Sequence, residues 1–518
     1  MRLAGIDWAV VIGFLLLSLA IGLAVSRRAG SNASEFFLSG RDMPWWLLGV
    51  SMVATTFSTD TPNLVTDIVR TGGVAGNWVW WAFLLSGLVT TFVYARLWRR
   101  SGVDTDVGFY ELRYSGPAAR FLRGFRAIYL GAFFNIMIMA SVTLAAIKIG
   151  GVMLGVSPLA TVLVAGGITV VYAMLGGLTG VLVTDFVQFA VAMTGSVIAA
   201  VWAVGRPEVG GLAALFAHPE VARRLDFVPD LSDHAAFVGV FVVPLAVQWW
   251  SVWYPGAEPG GGGYVAQRML AARSEGHAQG ATLLFNVAHY ALRPWPWILV
   301  ALASVIVYPD VASLREAFPA VDPRVVRDDL AYPAMLTFLP AGLLGLVVAS
   351  LTAAYMSTIS THLNWGASYL VHDGYRRFLR PDATQGQLVA VGRWATVGLM
   401  AASGAVALLL SNALQAFQIL LQIGAGTGLL FLLRWFWWRV NAASELTAMG
   451  VSFLVALYFQ FVHAPLFGAP LAPWQQLVIG VAITTAAWLS AAWLGPATDE
   501  ATLRAVAHSL PTRAAGAG

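Results

Sequence analysis

Four hydroxyls stand within five positions, Ser357, Thr358, Ser360 and Thr361, in an otherwise apolar stretch, with Ala354 one turn earlier. At i, i+3, i+4, i+6 and i+7 from Ala354, most of this set shares one helical face. Serine and threonine in apolar helices commonly bond back to the preceding turn or join neighbouring helices. A set this dense also offers the oxygen ligands that hard cations need. Two further oxygen sources occur. The run Ser58-Thr59-Asp60-Thr61-Pro62-Asn63 interrupts a hydrophobic segment and frees the carbonyls of Ser58 and Thr61, and Asp185 places a carboxylate inside another apolar segment. Hydroxyls, unpaired carbonyls and few carboxylates together predict binding of a monovalent cation coupled to a carrier.

The elements holding these residues follow from composition. Of 518 residues, 58% are hydrophobic and 11% charged, less than half the charged fraction of about 25% usual in soluble domains. A mean hydropathy of +0.73 over this length excludes a soluble core, so the excess apolar surface faces lipid. A spanning helix needs about 20 apolar residues, and hydrophobic runs between polar or Gly/Pro-rich breaks predict about thirteen spans, from residues 5–25 to 473–494. The first is read as a true span rather than a signal peptide. Cysteine is absent, which excludes disulfides, thiolate metal sites and cysteine nucleophiles. The net charge of +4 reflects topology rather than nucleic-acid binding. The densest basic run, Arg96 to Arg126, falls in one loop, whereas 204–233 and 309–330 each hold five acids against three arginines. By the positive-inside rule this predicts a multi-pass cell-membrane protein with its N-terminus outside and its C-terminus cytoplasmic.

Two spans are broken in their middles. An aspartate at mid-membrane depth costs roughly 2.5–3.5 kcal/mol on insertion scales, and Pro62 removes a backbone donor. The break survives only where backbone lines a cavity or is covered by protein. Five spans later, Pro255–Gly263 carries Glu258 and four consecutive glycines. Paired interruptions at matching positions of two halves point to a transporter binding site. An odd number of helices per half makes the second half inverted, giving an N-terminal helix and inner loop (1–43), a first repeat (44–203), a second repeat (235–438) and two extra helices with a short tail (439–518).

At these residues the sequence resembles the sodium:solute symporter family, which includes sodium-coupled glucose, proline, pantothenate and sialic acid carriers. Phe36-Phe37-Leu38-Ser39-Gly40-Arg41 with Pro44-Trp45-Trp46 resembles its inner loop. Gly176-Gly177-Leu178 with Thr184-Asp185 and Gln188 resembles its fifth-core-helix signature, and Gln267-Arg268 with Leu270-Ala271-Ala272 the segment after the sixth. Met356-Ser357-Thr358 falls where the family keeps sodium hydroxyls. The resemblance implies the all-α, 5+5 inverted-repeat (LeuT-type) fold with one helix before and two after. It implies a primary sodium site from the Ser58, Thr61 and Ala354 carbonyls with the Ser357 and Thr358 hydroxyls, and a second from Asp185, Ser357, Ser360 and Thr361.

Substrate candidates are Asp60, Asn63, Trp253, Tyr254, Glu258, Asn286, His289 and Gln422. In sugar-carrying relatives the position matched to His289 is a lysine that bonds substrate hydroxyls, which makes His289 the leading contact. Arg293, one turn on and before Pro294, either contacts an anionic substrate or snorkels to the interface, the second being the favoured reading. The implied function is uptake of a sugar, polyol, amino acid or carboxylate by sodium symport, by a monomer in the lipid bilayer with no organic cofactor and no enzymatic activity. The alternative is a passive channel or facilitator, against which the paired breaks count.

Overall fold

The structure is a computed structural model that describes residues 3–150, 156–252, 258–319, 326–409 and 424–510. Without water, backbone N–H and C=O groups must pair within the chain, and a helix meets that demand inside one segment. Among the described residues, nine helices are long and apolar enough to cross a membrane. In chain order the elements are α1 (Gly5–Ala29), the short α2 (Trp45–Thr55) and α3 (Thr61–Gly72), then α4 (Val74–Ser101), α5 (Gly116–Ile147) and α6 (Pro158–Val204). The second half holds the short α7 (His234–Ala246) and α8 (Gly263–Ala271), followed by α9 (Glu275–Val307), α10 (Leu343–Leu379), α11 (Gln385–Leu409), α12 (Ala442–Phe467) and α13 (Pro473–Leu494).

The sequence expectation of two spans over 158–175 and 180–203 takes the form of one helical run, α6, folded upon itself. Its 47 residues would reach about 70 Å if straight, more than twice the hydrocarbon thickness of about 30 Å. Gly177, at φ 53°, breaks the run against the inner loop, where an added Cβ would lie 2.7 Å from the Phe36 carbonyl oxygen. Beyond it the chain doubles back, bringing Gln188 Nε2 to 3.4 Å from the hydroxyl of Tyr172.

The two predicted breaks are both present. Residues 56–60 separate α2 from α3, and Pro62 sits in the first turn of α3, where a missing N–H costs nothing. Ahead of α8, Gly260 and Gly261 adopt φ of 84° and 94°, which side-chain-bearing residues rarely occupy. The ends of α2 and α8 away from the breaks are tied by backbone: Met43 N–H donates to the Ala271 carbonyl at 3.1 Å, and Arg273 N–H to the Met43 carbonyl at 3.0 Å.

The helix carrying the hydroxyls is the centre of the bundle. Residues 353–369 of α10 are buried throughout, and α10 packs most extensively on α6, with α1 against both. In α1 and α13 most residues face outward, as lipid-facing helices do. Thus α2, α6 and α10 bring their polar atoms together inside an apolar shell.

Candidate functional site

The last carbonyls of α2 have no partner within their own helix, and a side chain from α10 meets one of them. The Thr358 hydroxyl lies 3.0 Å from the Thr55 carbonyl and 3.1 Å from the Ala354 carbonyl. Ser357, on the adjacent position, donates to Asp185 Oδ1 at 2.7 Å, and Ser51 of α2 donates to Asp185 Oδ2 at 2.5 Å. Four of the residues named from sequence, Ala354, Ser357, Thr358 and Asp185, therefore fall in one connected patch. Ser360 bonds the Ser357 carbonyl at 3.1 Å. Thr361 faces the Thr55 hydroxyl at 2.9 Å.

A fully buried arginine completes this patch. Arg268 of α8 donates to Ser51 at 3.1 Å and to Thr361 at 2.8 Å, and lies 3.8 Å from Asp185. Two buried opposite charges with shared hydroxyl ligands keep the site neutral in a low-dielectric interior. The broken helix α2–α3 contributes more locally. Thr61 N–H reaches the Ser58 carbonyl at 3.3 Å, and the Ser58 hydroxyl donates to Asp60. Asp60 itself is exposed and Asn63 half-buried.

Past the break, α9 loosens into a wider turn over Ala288–Leu292, and Arg293 N–H bonds the Ala288 carbonyl at 3.0 Å, five residues back. Pro294 follows. Such bulges re-aim side chains and are frequent at functional sites. His289 Nδ1 meets the Thr56 hydroxyl at 3.0 Å, and Arg293 donates to that hydroxyl at 2.9 Å and lies 3.2 Å from His289 Nε2. Both side chains are 2% exposed, so Arg293 does not snorkel: it turns inward onto the break. Trp80 and Tyr290 stack at 5.9 Å beside them.

Other substrate candidates sit elsewhere. Glu258 is buried and paired with Arg126 of α5 at 2.8 Å, because a buried carboxylate requires a cation; it is engaged away from His289 and Asp60. Asn286 is wedged against α4, donating to Thr91 at 3.2 Å and to its own helix at Thr282. Trp253, Tyr254 and Gln422 lie outside the described residues. The residues that sequence reading missed are Ser51, Thr55, Thr56 and Arg268. Thr55 carried a usable signal, since it precedes the break within a single turn and its carbonyl belongs to the unpaired helix end.

A loop between α4 and α5 closes the face next to Glu258. Asp106 accepts from Gly263 N–H at 2.8 Å and from the Tyr369 hydroxyl. Burial, reinforced by the charge of Glu258, pushes its carboxyl up to about 6.

Interrupted helices meeting at an oxygen-rich centre, within an all-helical membrane bundle, define a secondary transporter of the LeuT-type fold. The comparisons agree. A profile of the sodium:solute symporter family matches residues 36–451, and the chain belongs to that family. A sodium/glucose cotransporter from Vibrio parahaemolyticus is 26% identical over 483 residues, covering 89% of this chain and 86% of that protein. A sodium/mannose cotransporter from Bos taurus is 27% identical over 90% of this chain and 82% of its own length. Among solved structures, a substrate-bound, outward-open Na+-coupled sialic acid symporter superposes with a TM-score of 0.78 at 21% identity, covering 96% and 99% of the two chains. The protein is thus a multi-pass membrane transporter, not an enzyme, and sodium is its coupling ion.

Proposed function

We propose that the chain imports a small polar organic solute with sodium by alternating access, as a monomer in the lipid bilayer with its N-terminus outside and its C-terminus cytoplasmic. One observation carries this reading: Thr358 of α10 reaches the freed end of α2 at the Thr55 carbonyl. Backbone and hydroxyl oxygens converge there from two helices that belong to opposite halves. The primary sodium site takes the Ala354 carbonyl, the Ser357 and Thr358 hydroxyls, and carbonyls of the broken helix. Thr55 joins Ser58 and Thr61 as a source of the last. The second sodium site is Asp185 with Ser357, Ser360 and Thr361, in contact with the first through Ser357. The solute enters beside the gap between α2 and α3, near Asp60, Asn63 and His289.

Sodium held between the two helices joins their halves when it binds and releases them when it leaves. One charge crossing 100 mV yields about 2.3 kcal/mol, and a tenfold ion gradient adds about 1.4 kcal/mol, enough together for roughly 500-fold solute accumulation. The test is uptake into proteoliposomes with sodium, lithium or potassium outside. Accumulation driven by an inward sodium gradient supports the reading, and uptake indifferent to sodium defeats it.

A further inference from the structure

Arg293 has no carboxylate in contact with it among the described residues, and Asp60 acts on it only from beyond ion-pair distance. Four other buried arginines face a carboxylate: Arg268 with Asp185, Arg126 with Glu258, Arg434 with Glu445 and Arg70 with Asp328. A fifth, Arg113, donates to the carbonyls of Arg434 and Trp437. Arg293 is as buried as these, yet among the described residues no carboxylate lies within ion-pair distance of it. Its contacts are the hydroxyl of Thr56, His289 Nε2 and the face of Trp297 at 5.4 Å. Its Nε has no hydrogen-bond partner among the described residues.

An unpaired buried guanidinium costs several kcal/mol, and a fork of planar N–H donors fits a carboxylate edge-on. Thr56, Trp80 and Tyr290 around it are half-buried and Asp60 is exposed, so the side of Arg293 facing the helix break has the more open surroundings. The Asp60 carboxylate is already held by the Ser58 hydroxyl. We infer that Arg293 binds the transported solute and that this solute carries a carboxylate, the guanidinium's missing counter-charge. The polar groups of Asp60 and Asn63 and the Trp80–Tyr290 stack then serve a hydroxylated skeleton. This inference rests on the solute entering at the α2–α3 gap.

The experiment is thermal unfolding of the purified full-length protein with matched probes: glucuronate, galacturonate and gluconate against glucose, galactose, sorbitol and glucuronamide, each in sodium and in choline chloride. The expected result is stabilisation by at least one carboxylate and not by its uncharged counterpart. The shift is lost in Arg293→Gln and retained at about tenfold weaker affinity in Arg293→Lys, whose ammonium keeps the charge without the fork. Stabilisation by uncharged members alone, no shift with any carboxylate, or a carboxylate shift unchanged in Arg293→Gln overturns the inference. The wild-type panel decides the matter even where Arg293→Gln fails to fold. A carboxylate shift equal in sodium and choline would keep Arg293 and remove the sodium-coupled reading instead, so the two fail separately.

Discussion

The hydroxyl of Thr358 spans the Ala354 carbonyl on its own helix and the Thr55 carbonyl at the freed end of α2. It joins a backbone oxygen of the first half to the hydroxyl helix of the second, so the proposed sodium site lies between the two halves rather than within one.

Removing that link should show in sodium, not in solute specificity. A hydrogen bond or ligand to a charged partner is worth about 1.5–3 kcal/mol. Ser357→Ala and Thr358→Ala should each raise the sodium concentration for half-maximal uptake by roughly 10- to 100-fold. Sodium titration of uptake in proteoliposomes checks this, and unchanged sodium dependence removes both residues from the primary site.

Asp185 tests the proposed second sodium site. Asp185→Asn keeps the shape of the side chain and removes its charge beside Ser51, Ser357 and Arg268. The sodium:solute ratio from reversal potentials should fall from two to one. A ratio that stays the same in both proteins rejects the second site.

The Glu258–Arg126 pair predicts stability rather than transport. Leaving one buried partner alone costs about 3–5 kcal/mol, so Glu258→Gln should lower the melting temperature in detergent markedly. Arg126→Met combined with Glu258→Met should recover most of the loss. Equal destabilisation by the single and the double change would show that the pair does not act as a unit.

Asp106 gives a pH signature. Burial beside Glu258 pushes its folded-state carboxyl up to about 6, above the usual carboxylate range. A raised carboxyl adds stability when protonated, and that gain is lost as pH rises through about 6. The wild type should therefore gain stability relative to Asp106→Asn as pH falls from 7 towards 4. Parallel melting curves across that range would assign the titration elsewhere.

What sequence disclosed follows what physics makes costly. Asp60, Asp185 and Glu258 were readable because a carboxylate in an apolar segment must be accounted for, and the Gly260–Gly263 run because no helix tolerates it. The hydroxyls on α10 were readable because their spacing fixes a shared face. Backbone contacts were not: Thr55 acts through a carbonyl, which every residue has, and only the fold shows which carbonyl another helix reaches. For Arg293 the sequence favours snorkelling over contact with an anion, and only the fold, with its wide turn at Ala288–Leu292, shows the side chain turned inward onto Thr56. Glu258 signalled a buried charge without naming its partner, since Arg126 is more than a hundred residues away.

The backbone bridge from Met43 to Ala271 and Arg273 has a mechanical consequence. Two rods pinned at one end can swing together but cannot slide past each other. While that pin holds, α2 and α8 keep their register, and Arg268 stays beside Ser51, the α2 hydroxyl to which it donates. The far sections, α3 and α7, lie beyond the breaks and outside that constraint.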